Sequence, residues 1–73
     1  MRPMRYEIVL GGRLGPRLAR AIDGFEVVSD GVDSTRLVGW VRDQSSLQGT
    51  LRRVSDLGLD LISVGPAEDD TPG

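Results

Sequence analysis

Seventy-three residues make room for one domain, close to the size below which a single hydrophobic core no longer suffices. Cysteine and histidine are both absent, which excludes a disulfide framework, a thiolate nucleophile and the usual Cys/His zinc sites. Nine basic against eleven acidic residues give a formal charge of −2, so bulk electrostatics do not favour nucleic acid, and no apolar run is long enough to span a membrane.

Met1 to Arg5 reads as a short frayed lead-in, and its arginines lack the apolar stretch of a secretion signal; a cytoplasmic location is the expectation. Tyr6, Ile8 and Leu10 then alternate with Glu7 and Val9, the period of a pleated strand. Gly11, Gly12 and Gly15 surround Arg13 and Leu14 in a turn, and Pro16 suits the first position of a helix, where its missing N–H does no harm. Leu18, Ala21 and Ile22 give that helix a narrow apolar stripe, and Asp23 and Gly24 end it. Phe25 to Val28 reads as a second strand, and Ser29 to Ser34, with its Asp30-Gly31 pair, as a hairpin turn.

The stretch from Arg36 to Val64 carries the clearest signal. Leu37, Gly39 and Val41 alternate with Val38 and Trp40 in a third strand, and Asp43 stands where a helix N-cap belongs. Leu47, Leu51 and Val54 share one helical stripe, while Gly49 lies on the opposite face at a cost of about 1 kcal/mol relative to alanine. Gly58 after Leu57 has the place of a left-handed cap, with Leu59 folding back onto Val54, and Leu59 to Val64 forms a fourth strand. From Gly65 the chain is acidic without an apolar anchor. The expected organisation is therefore a domain at 1–64 and a disordered tail at 65–73.

The order β-α-β-β-α-β, with right-handed crossovers, places both helices on one sheet face. The expected fold is α+β and ferredoxin-like, a four-stranded antiparallel sheet with the first and third strands central. Tyr6, Ile8, Leu10, Phe25, Val27, Leu37 and Val41 fall on the helix-covered side, where Gly39 would admit a close helix. Alternation sends Val9, Val28, Val38, Trp40 and Ile62, with part of Val64, to the other side. Two helices cannot cover that side, it is largely apolar, and it holds the chain's single tryptophan, a preferred interface anchor. The expected partner is a second copy, contacting Val9, Val28, Val38, Trp40 and Ile62. Another protein subunit could cover the same residues, and a register shifted by one would turn Trp40 inward instead.

GGRLGP precedes a helix, and glycines at a helix N-terminus can bind anions. A P-loop needs Lys and Ser/Thr after the last glycine, and neither is present. A tight strand-to-helix turn is the plainer reading; a small ligand held by Gly12, Arg13, Gly15 and Arg17 is the sharper one. Arg13, Arg17 and Arg20 have no interleaved aromatics for base stacking, and Asp30, Asp33, Glu68, Asp69 and Asp70 lack the spacing of a calcium loop. No catalytic set, metal or cofactor is expected.

Arg13-Leu14-Gly15-Pro16-Arg17-Leu18-Ala19 resembles, with the Pro-Gly order reversed, the Asp-x-Pro-Gly-x-Leu-Ala type turn that follows strand one in ACT-type regulatory domains. That resemblance implies a non-catalytic regulatory module with a small ligand near Gly11 to Arg17. Gly12-Arg13-Leu14 and Gly39-Trp40-Val41-Arg42-Asp43 are similar to the first loop and third strand of acylphosphatases, which are also ferredoxin-like. This second resemblance implies hydrolysis of acyl phosphates, with Arg13 or Arg17 holding phosphate and Asp43 in the place of the family's catalytic asparagine.

Overall fold

The computed structural model describes residues 2–67. The elements are β1 (Met4–Gly11), α1 (Pro16–Ala21), β2 (Phe25–Asp30), β3 (Ser34–Val41), α2 (Gln44–Asp56) and β4 (Leu61–Pro66). The strands form one open antiparallel sheet in the order β2-β3-β1-β4, so β1 and β3 are central and β2 and β4 are edges. Ile8, Leu10 and Leu37 share a single core with Val54 of α2 and with Leu14 and Ile22, which flank α1; both helices therefore lie on one side of the sheet. The result is a two-layer α+β fold. No helix among the described residues is long and apolar enough to cross a membrane.

Local chemistry explains the ends of α2. The Asp43 carboxylate accepts the Ser46 N–H at 2.8 Å, satisfying one of the orphan donors of the first turn. At the other end Gly58 adopts φ +74°, the Gly58 N–H donates to the Ser55 carbonyl, and the Leu59 N–H donates to the Val54 carbonyl. Those two bonds make a Schellman cap, and they swing Leu59 back against the core. Gly49 has no atom within 4 Å of the position its Cβ would take. Gly49→Ala is therefore expected to stabilise the domain by about 1 kcal/mol, read as a rise in the urea midpoint with an unchanged slope.

α1 is too short to cover much. Its six residues span about 9 Å, and none of them is fully buried. The residues on either side do that work instead: Leu14, placed in the turn by its sequence context, is a core residue, as is Ile22. Val27, Leu61 and Val64 lie on the helix side at the sheet's two edges, outside the core cluster, and stay partly exposed.

Several expectations need correction. β1 starts at Met4 rather than after a frayed lead-in, and β4 continues through Gly65 and Pro66, past the expected domain end at 64. An edge strand tolerates proline, because the missing N–H can fall on the unpaired side. The Ala67 N–H then donates to the Arg5 carbonyl at 2.8 Å. The remainder of the expected disordered tail lies outside the described residues. Gly39 admits no helix: the Gly24 carbonyl and the Phe25 ring, both at the start of β2, occupy the space its side chain would need. Val64 pairs with Ile8 and so belongs to the covered side, not the open one. An extra residue in β4 causes this, since Val9 opposes Ser63 while Leu10 opposes Leu61.

Candidate functional site

The sheet side away from the helices is built from the register of its central strands. Arg5 opposes Trp40, Glu7 opposes Val38, and Val9 opposes Arg36, so these six side chains share one face. β2 adds Glu26, paired to Val38. Each edge strand also carries a bulge. Val27 opposes Leu37 and Ser29 opposes Arg36, which leaves Val28 as the additional residue; Ile62 has the same position in β4. The Ile62 Cδ1 lies 3.8 Å from where a side chain on Gly11 would begin, and Gly11 shares the parity of Glu7 and Val9, so Ile62 also faces the open side.

All five expected interface residues thus meet on one surface or its edge, in different states. Trp40 is 64% exposed, Ile62 58% and Val28 52%, whereas Val9 is half-buried and Val38 is only 8% exposed. Val38 floors a depression of about 330 Å³ lined by Trp40, Arg5, Glu26, Gly24 and Gly39. Trp40 stands beside it with its ring in solvent.

The sequence reading of this face as largely apolar missed four charges. Arg36 donates through Nε to Glu7 Oε2 at 2.8 Å and again through a terminal nitrogen to the same oxygen, a fork of two donors on one acceptor that spans β1 and β3 on the diagonal. With Arg5 and Glu26, the face holds two arginines and two glutamates, formally neutral against −2 for the chain. Strand parity gives Glu7 away in the sequence. Arg36 has the parity of Val38 and Trp40 in β3 and could have been found in the same way.

The glycine turn does a different job from the one its composition suggests. The Gly11 N–H donates to the Asp60 carbonyl at 2.8 Å, and the Gly12 N–H donates to the Asp33 carbonyl at 2.9 Å. Gly12, at φ +83°, offers its own carbonyl to the Thr35 hydroxyl at 2.8 Å. These bonds fasten the turn to the β2–β3 hairpin and to the approach of β4, so the Gly11 and Gly12 amides are already engaged. Arg13 and Arg17 point into solvent, and Gly15 is the N-cap of α1 without a side-chain bond. The turn is a clasp. Thr35 is fully buried, so Thr35→Val, which keeps shape but strands the Gly12 carbonyl, should cost about 1–3 kcal/mol in a urea titration.

A second depression, of about 320 Å³, lies between the end of α1 and α2 and is lined by Ala21, Ile22, Asp23, Ser46, Gly49, Thr50 and Arg53. None of Gly12, Arg13, Gly15 and Arg17 lines either depression. Among the described residues no cluster of carboxylates is arranged to hold a metal ion.

No curated protein and no solved structure matches this chain at a significant level. A family match runs over residues 5–65, taking in all six elements from the second residue of β1 to the last but one of β4. On that match, the chain belongs to the family described as a domain of unknown function (DUF8691).

Proposed function

We propose that this domain is a non-catalytic, ferredoxin-like and ACT-like interaction or regulatory module that works as a homodimer closed through its open sheet face. The observation that carries the reading is the 64% exposure of Trp40, the last residue but one of the central strand β3, on a sheet face that no second layer covers among the described residues. The strand order, with β1 and β3 inside, supports the ferredoxin-like topology.

A second copy suits this face better than an arbitrary protein would. Its charges sum to zero, so two copies that repel through their net −2 elsewhere do not repel here. The broad dimensions of the molecule are 31 × 28 Å, and an ellipse of that size covers roughly 700 Å², close to the ~800 Å² each partner contributes to a standard interface. Bulges on both edge strands oppose sheet extension edge to edge, which leaves the face as the route to association.

Sedimentation velocity over about two decades of concentration tests this. The wild type is expected to double its mass, and Trp40→Ser to remain a monomer with an unchanged far-ultraviolet spectrum, since truncating such an anchor typically costs about 2 kcal/mol or more. A wild type that stays monomeric at the highest concentration rejects the reading.

The runner-up is an acylphosphatase-like hydrolase using Arg13 or Arg17. Against it, the Asp43 carboxylate is committed to capping α2, and the Gly11 and Gly12 amides are bonded within the protein. Turnover of a model acyl phosphate that disappears in Arg13→Ala would reverse the preference.

A further inference from the structure

We infer that in the homodimer each Trp40 indole seats in the depression beside Trp40 of the other copy, about a two-fold axis passing between indole and depression. This rests on the sheet-face reading above and specifies its contact. The knob and the hole share one face: a tryptophan 64% exposed, and next to it a depression of about 330 Å³ floored by Val38. Because Trp40 is itself one wall of that depression, projection and hole are neighbours. A two-fold operation that puts one indole over the facing hole puts the other in place at the same time, as an isologous contact requires.

The chemistry of the rim fits an indole. Val38 provides the apolar floor, the Glu26 carboxylate accepts a hydrogen bond from an indole N–H, and Arg5 provides a guanidinium at the ring face. Two indoles meeting this way lie offset, with ring centroids about 4.5–7 Å apart. The same rim carries one cation and one anion, so its formal charge is zero.

The chain has a single tryptophan, so its spectra report this contact without interference. Emission and circular dichroism are recorded through the concentration range in which sedimentation follows mass, for the wild type and for Val38→Phe. Val38 projects from the open side and lies outside the cluster packed beneath the helices, so a phenyl group there is directed at the hole. The expected result is a blue-shifted emission and an indole–indole exciton couplet that rise with dimer mass, with association at least about thirtyfold weaker in Val38→Phe. A wild-type dimer whose tryptophan emission stays at the solvent-exposed wavelength, with no couplet, overturns the seated indole and leaves sheet-face dimerisation standing. Wild-type affinity in folded Val38→Phe also overturns it. A wild type that remains monomeric overturns both. The wild-type spectra decide the matter even if Val38→Phe does not fold.

Discussion

Gly39→Ala is expected to remove about 3 kcal/mol of stability, the upper end of the usual cost of overpacking. The Cβ it adds would overlap the Gly24 carbonyl oxygen and come within 2.8 Å of the Phe25 Cγ. Neither neighbour can withdraw cheaply. The carbonyl belongs to a residue held at φ +85°, and the next N–H, that of Phe25, donates to the Ile22 carbonyl. Gly39 itself is paired on both sides, to Tyr6 and to Phe25, so β3 cannot bow away from the contact without breaking two ladders. For a chain of this size, total stability is about 4–11 kcal/mol, and each kcal/mol moves the melting temperature by about 4–8 °C. Thermal and urea unfolding of Gly39→Ala and Gly15→Ala make the check. Gly15 sits at φ −70° with nothing within 4 Å of its missing side chain, so that variant is expected to lose no more than the ~1 kcal/mol that alanine costs at an N-cap. If Gly39→Ala lay within about 0.5 kcal/mol of wild type, the Phe25 ring would not be where β2 puts it.

Arg36→Glu should abolish self-association while barely touching the fold. The Glu7–Arg36 pair is partly in water, with side chains 53% and 27% exposed for Arg36 and Glu7, so losing it costs the monomer about 0.2–1 kcal/mol, and setting two carboxylates side by side adds a cost of similar size. Across a face-to-face dimer the effect is far larger. Arg5 would be left alone against three carboxylates in each copy, and like charges brought together in an interface cost several kcal/mol. Association weakened by at least about a hundredfold is the expectation, partly recovered at high salt. The exchange Glu7→Arg with Arg36→Glu restores both the neutral sum and the cross-strand fork, and should return the affinity to within about tenfold of wild type. Sedimentation of the three proteins in parallel measures this. Wild-type association in Arg36→Glu would mean that this face is not the contact.

Much of the architecture can be read from nearby residues. The N-cap at Asp43, the glycine stop at Gly58 and the pleat of Leu37 to Val41 are each set by the chain within a few positions, and the structure has each of them. The exposed position of Trp40 is of the same kind, because alternation in β3 fixes its side relative to Leu37 and Val41, both fully buried. What could not be read this way depends on partners far along the chain. Leu14 enters the core because Gly12 is fastened to Asp33 and Thr35, about twenty residues away. The need for glycine at position 39 comes from the carbonyl of Gly24, and the side on which Val64 falls comes from a bulge opposite Val9.

Signals local to the chain set the elements, their order, and which side of its own strand most residues take, because side-chain direction follows the local backbone. The register between strands, and with it the neutral set of Arg5, Glu7, Glu26 and Arg36 and the hollow beside Trp40, arises only once the strands are packed together. Register is a property of two segments packed together, fixed by bulges and by the fit of buried side chains, and neither segment carries it alone.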